Sequence, residues 1–223
     1  MSPSAWRTAF AVLLSCGVVG AAAWLVFFSP VLGVRDIAIS GNAGLPDDQI
    51  RRAAAVPDHQ PMATVDVELV RRRIAALRQV ESVSVERGWP GTLKVRLVER
   101  RPVAVVLSAG KASVVDRHGV VIEIRDIAPA GLPSLQVGRF GEGDPATRAA
   151  LTVLSALPAD LARRVQLVRA VSAEDVSLRL GDGRTIMWGG AERTRDKARI
   201  ALTLLQRPAD SYDVSSPDVV TVK

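Results

Sequence analysis

The side chains that could do chemistry here are few: two histidines, one cysteine and short groups of acids. A zinc or redox centre would draw on His59, His118 and Cys16, because imidazole and thiolate are the usual ligands. His59 follows the loop proline Pro57, His118 sits in an Arg117-His118-Gly119 turn, and neither a His-x-x-x-His spacing nor a second cysteine supplies a partner ligand. General acid and base work needs carboxyls held in contrasting environments. Asp47 and Asp48 stand instead where helix-start acids stand, and Asp182, between Gly181 and Gly183, reads as a hairpin-turn residue. There is no G-x-S-x-G elbow and no phosphate loop. Lys197, beside Asp196 and Arg199, reads first as part of a solvated helix face and second as a partner contact. The expectation is a protein that is not an enzyme, with no cofactor and no metal.

The whole-chain balance excludes other classes. Net charge is +6, but the basic groups Arg51-Arg52, Arg71 to Arg73, Arg100-Arg101 and Arg163-Arg164 are short, scattered and interleaved with acids. A nucleic-acid surface needs a continuous stripe with stacking rings, and aromatic residues are only 4%. Solvated faces, with some attraction to anionic lipid or cell-wall polymer, account for the excess. The single cysteine leaves an exported domain without disulfides, so packing has to hold it together.

The elements are organised behind one stretch, Ala9 to Phe28, AFAVLLSCGVVGAAAWLVFF, which carries no charge. As a helix it matches the roughly 30 Å hydrocarbon core of a bilayer. Ten of its residues are Val, Leu or Phe, each favouring insertion by about 0.3 to 0.6 kcal/mol. Trp6 and Trp24 lie near its ends, and Ser29-Pro30 is expected to stop it. Ala21 to Ala23 resembles a signal-peptidase site and Leu13 to Cys16 a lipoprotein site, but the apolar run continues to Phe28 past both. A retained single span is the expected outcome, with residues 1–8 cytoplasmic by positive-inside counting and the bulk of the chain outside.

After the span, Val34 to Ile39 alternates as a strand, Pro46-Asp47-Asp48 opens a short helix ended by Pro57, and Val67, Val70, Ile74 and Leu77 mark a second helix. Val80 to Arg87 and Thr92 to Glu99 alternate about a Gly88-Trp89-Pro90-Gly91 turn, whose indole is expected to cover the hairpin end. From Pro102 the pattern is strands at 103–107, 112–116 and 120–124, a Pro/Gly loop with Leu132-Pro133, a helix near 144–156, strands at 165–171, 176–180 and 184–188, a helix at 192–206, and a last apolar run, Val219 to Val222.

A strand-helix-helix-strand-strand module just outside one span, closing with V-E-x-V-x-V-E-R-x-W-P-x-T-L-x-V-x-L-V-E-R-R-P-V-A over Val80 to Ala104, resembles the POTRA domain of the FtsQ/DivIB bacterial cell-division family. Ile186-x-Trp188-Gly189 ahead of a helix bearing Lys197, then Tyr212-Asp213-Val214, is similar to that family's C-terminal β domain. The implied fold is α+β: a head at 1–8, a transmembrane helix at 9–28, a POTRA domain at 31–101 (β-α-α-β-β) and an FtsQ-type mixed β-rich domain with two helices at 102–223.

The resemblance further implies a non-enzymatic bitopic scaffold at the division septum, with FtsB/DivIC-like and FtsL-like partners and an effect on septal cell-wall synthesis. An exported cell-wall enzyme, or a POTRA-type secretion or assembly accessory, is the alternative, although the 102–223 segment with its two helices is too short for a transmembrane barrel. Val219, Val220, Thr221 and Val222 are expected to form an exposed edge strand that accepts a partner strand. Tyr212, Asp213 and Val214 would dock it, Ser216 and Pro217 would set it apart from them, and Lys197 is a further candidate contact.

Overall fold

A computed structural model describes residues 3–28, 32–216 and 221–222. Its first element, α1 (Pro3–Phe28), is one continuous helix. Phe10–Phe28 within it is long and apolar enough to cross a membrane, and none of it is buried by the rest of the chain. Ser29 and Pro30 lie outside the described residues. Two compact units follow from the contacts, Met1–Glu99 and Arg100–Lys223.

The first unit contains β1 (Asp36–Ser40), α2 (Asp47–Ala54), a 3-10 turn (Met62–Thr64), α3 (Val67–Ala75), β2 (Val80–Gly88) and β3 (Thr92–Glu99). The sheet order is β1-β3-β2, with β1 parallel to the central strand and β2 antiparallel to it. A parallel pair needs a crossover, and α2 and α3 supply it. Alternation on β3 sends Leu93, Val95 and Leu97 inward, where they meet Ile37, Ile50, Ala54, Val70 and Ile74 in one core. Pro46 caps α2 from outside instead of occupying its first turn, and the helix ends before Pro57, at Ala55 in a left-handed conformation. Asp66 caps α3 by accepting from the Leu69 N–H at 2.9 Å.

The carboxylate of Glu99, at the end of β3, accepts three consecutive backbone N–H groups, Ala43 at 2.7 Å, Gly44 at 3.0 Å and Leu45 at 2.8 Å. Burial pushes its pKa up, but those N–H bonds outweigh it and hold the carboxyl below the usual range. The expected cover of the hairpin end by Trp89 is not found. The indole is 53% exposed, because Gly88 and Thr92 form the last rung of the ladder and the turn projects past it.

The second unit is a nine-stranded mixed sheet of order β12-β11-β10-β9-β8-β7-β4-β5-β6. Its strands are β4 (Pro102–Ser108), β5 (Lys111–Asp116), β6 (Val121–Arg125), β7 (Ser134–Val137), β8 (Val165–Ser172), β9 (Asp175–Leu180), β10 (Thr185–Gly189), β11 (Ser211–Asp213) and β12 (Thr221–Val222), and α4 (Pro145–Ala156), α5 (Ala159–Ala162) and α6 (Thr194–Leu204) complete it. Asp144 caps α4 through the Thr147 N–H at 2.7 Å, with Pro145 in the first turn. The apolar faces of α4 and α6 close over the sheet around Leu151, Val168, Leu178, Trp188, Ala201 and Tyr212.

Two elements are additional to the sequence reading, and a third differs in length. The Pro/Gly loop after Leu132 contains β7, a four-residue strand parallel to both of its neighbours, and α5 is a single turn between α4 and β8. Helix α6 is shorter at both ends than the 192–206 expected.

Candidate functional site

The described ones among the residues singled out from Tyr212 onward lie at one edge of this sheet. Strand β11 runs parallel to β10, pairing Thr185 with Ser211, Ile186 with Tyr212 and Met187 with Asp213. The Val214 N–H donates to the Met187 carbonyl at 2.9 Å and prolongs the ladder. Strand β12 then pairs antiparallel with β11, Tyr212 opposite Val222 and Asp213 opposite Thr221, and is the terminal strand of the sheet on that side. Val219 and Val220, with Pro217, fall outside the described residues. Ser216 is exposed.

What fixes β11 is an arginine that sequence reasoning read only as the start of a strand. Arg184 follows the Gly181-Asp182-Gly183 turn and turns its guanidinium back on it, with Nε and Nη2 donating to Asp182 at 2.9 and 2.6 Å. Nη1 reaches the other way, to the Leu205 carbonyl at the end of α6 (2.9 Å) and to the Tyr212 hydroxyl (3.2 Å). The Tyr212 hydroxyl in turn donates to the Arg207 carbonyl at 2.6 Å. The hydrogen bond from Arg184 is the main reason that the Asp182 carboxyl is held below the usual range, and Asp182 and Tyr212 raise the guanidinium further above its already high value. A cation at a helix C-terminus also suits the helix dipole. The sequence signal was present in D-G-R after an alternating strand, but nothing in it shows that Arg184 would meet Tyr212.

Lys197 is not on a solvated face. It is 2% exposed, and its ammonium donates to the carbonyls of Trp188 (3.0 Å) and Gly190 (2.9 Å). The reason lies in the strand: the β9–β10 register shifts between Met187 and Gly189, a bulge that takes local backbone groups out of the ladder. Buried carbonyls need donors, and Lys197 provides two. Its burial lowers its pKa, with Glu192 opposing the shift and Arg193 adding to it. Gly189 has φ +70, and a Cβ there would lie 2.8 Å from Ser215 Cβ. The I-x-W-G motif and its lysine thus form a floor over which the exit of β11 passes closely.

Tyr212 and Val214 are fully buried, as is Lys197. They hold the edge from beneath and do not present it. Asp213 is half-buried and accepts from the Ser215 N–H at 2.9 Å, which shapes the turn out of β11.

The remaining chemical candidates stay apart. His59 is in a turn at φ 59, and His118 Nε2 accepts from Arg117 Nε at 3.0 Å. Among the described residues no three His, Cys, Asp or Glu side chains are grouped to hold a metal. Ser108-x-x-Lys111 has the spacing of a serine–lysine pair, but it straddles the two-residue β4–β5 turn with both residues exposed, and Lys111 is ion-paired with Asp126.

The sequence matches the family described as "POTRA domain, FtsQ-type" over residues 32–100 and that described as "Cell division protein FtsQ/DivIB, C-terminal" over 104–219. It is 42% identical over 199 residues to the cell division protein FtsQ of Mycolicibacterium smegmatis, covering 89% of this chain and 60% of that one. It is 39% identical to that of Mycobacteroides abscessus, covering 95% and 68%, and 38% identical to that of Streptomyces bingchenggensis, covering 94% and 82%. The chain therefore spans about three-fifths of the length of the first of these relatives. The solved extracytoplasmic domain of DivIB from Geobacillus stearothermophilus overlaps 49% of this chain and 98% of that one, at a TM-score of 0.37 and 20% identity, too loosely to bear on the fold.

Proposed function

We propose, for a chain that belongs to the FtsQ/DivIB family of cell-division proteins and is thereby a component of the division machinery, a non-enzymatic scaffold role. The protein is held by one membrane span with a cytoplasmic N-terminus. It captures FtsB/DivIC-like and FtsL-like partners on the β11–β12 edge outside the membrane, at the septum, and so supports septal cell-wall synthesis. Its two domains are the POTRA domain at 31–101 and the β domain at 102–223.

One observation carries this reading. The terminal strand on that side of the sheet is laid on β11, which Arg184, Tyr212 and the Gly189 floor hold in place. An edge of that kind exposes unpaired N–H and C=O groups and templates a further strand. Partner-contact residues are then Thr221 and Val222 with Val219 and Val220, flanked by Ser216 and Pro217, while Tyr212, Asp213, Val214 and Lys197 position them.

Capture of the extracytoplasmic segment of an FtsB-like protein by the full chain in nanodiscs tests it. Deleting 219–223 should abolish capture and leave the second unit folded. Single prolines through 219–222 should weaken capture with a period of two, since N–H groups alternate in direction along a strand. Unchanged affinity after the deletion would send the interface elsewhere, to α6 or the POTRA face.

A further inference from the structure

The β2–β3 turn, Gly88-Trp89-Pro90-Gly91, does not hang free. The Gly91 carbonyl accepts from the backbone N–H groups of Arg35 (2.8 Å) and Asp36 (3.2 Å). The same entry segment is laced on its other side to the loop before the 3-10 turn: Gly33 bridges Pro61, Val34 N–H donates to the Gln60 carbonyl at 2.9 Å, and His59 N–H donates to the Val34 carbonyl at 3.1 Å. Arg87 closes the triangle, its guanidinium donating to the carbonyls of Met62 (3.0 Å) and Val65 (2.6 Å). Three chain segments thus form one braced tip at the end of the unit where the chain arrives from α1.

Two observations keep that tip close to the end of α1. Five peptide units separate Phe28 from Gly33, a reach of at most about 18 Å, and the 3-10 turn is itself in contact with α1. From this braced tip project Trp89, 53% exposed, and Pro90, also exposed. An indole with an apolar body and one N–H donor is the side chain that settles at the boundary between acyl chains and headgroups. A single exposed aromatic on a protein surface needs no explanation, but this one stands on a rigid support within tether range of an apolar span.

We infer that the Trp89 turn rests in the outer interface of the membrane and fixes the tilt of the POTRA unit over it, with the lipid interface as the occupant of this surface. The inference rests on the retained span proposed above.

The test uses the full chain in phosphatidylglycerol–phosphatidylcholine proteoliposomes, with Trp6 and Trp24 replaced by Phe. Trp188 remains as a fully buried internal reference. The Trp89 emission is obtained by subtracting the spectrum of the W6F/W24F/W89F protein. Lipids brominated near the top of the acyl chain should remove most of the Trp89 emission, and aqueous acrylamide should reach it poorly. A protein that stays in the membrane through carbonate washing, but whose Trp89 ignores brominated lipid and is freely quenched by acrylamide, overturns the tip contact alone. A chain that washes off with carbonate overturns the span and the contact together.

Discussion

Removing the Tyr212 ring and removing only its hydroxyl should have separable effects. The ring is fully buried in the core of the second unit, so Tyr212→Ala deletes a complete aromatic packing site and should cost about 3 to 5 kcal/mol. That is a large share of the roughly 5 to 15 kcal/mol that holds an ordinary domain. Tyr212→Phe loses one bond to the Arg207 carbonyl and one acceptor for Arg184. Arg184 keeps Asp182 and the Leu205 carbonyl, so the loss should be about 1 kcal/mol. Denaturant unfolding followed by Trp188 emission, with the other three tryptophans replaced by Phe, reports the second unit alone, because Trp188 is the tryptophan that lies in it. In the same proteins, partner capture should survive Tyr212→Phe, since β12 pairs with the backbone of β11 and not with the phenol. Capture lost in Tyr212→Phe at unchanged stability would refute this reasoning and make Tyr212 a direct contact.

Glu99→Gln should lower the stability of the first unit by about 1 to 2 kcal/mol at neutral pH, because the amide keeps one acceptor oxygen for three N–H donors. The folded pKa of Glu99 is depressed, so its contribution is present above the ordinary carboxylate pKa and is lost as pH falls through the lower folded value; the difference from Glu99→Gln in acid melts should close there. Lys197 has a lowered folded pKa, so wild-type stability relative to Lys197→Met should rise as pH climbs through that folded value toward the ordinary lysine range, and a flat difference up to pH about 10 counts against a buried charge. Gly189→Ala should cost more than Gly183→Ala: both have positive φ, worth about 1 to 2 kcal/mol for an added Cβ, but only Gly189 would also drive a Cβ against Ser215, and equal melting shifts would remove the case for a close floor. Trp89→Ala should cost no more than about 1 to 2 kcal/mol, below the range for a buried aromatic, as read by thermal melting of the first unit.

Periodicity made most of this fold legible. Long alternating runs such as Val80 to Glu99 and the stripe Val67, Val70, Ile74 are patterns that a sheet and a helix must bury one way. Ser134 to Val137 is too short to show a period, and its place between two parallel neighbours depends on pairing with Val105 on β4 and Leu167 on β8, both far away in sequence. Trp89 and Lys197 were misread for opposite reasons. Residue type suggests a buried indole and a wet ammonium, but a turn past the last rung carried the ring outward, and a bulge created carbonyls that drew the lysine in. The role of Arg184 depends on a meeting with Tyr212, 28 positions away, which no local pattern encodes.

The ladder between β7 and β4 has one register pair, Val105 with Ser134, backed by the Val105 N–H to Pro133 carbonyl bond at 2.9 Å. The chain enters this sheet at Pro102, on β4, and the proposed capture edge is at β12, across that join. Tension between a membrane tether and a captured partner would therefore cross every ladder from β4 to β12, and this is the thinnest of them. Helix α4 lies over β4, β7, β8 and β9 and acts as a splint across the seam. Shaving its apolar face, for instance by Leu151→Ala, should cost about 2 to 5 kcal/mol at rest and lower the force at which β4–β7 gives way in single-molecule pulling.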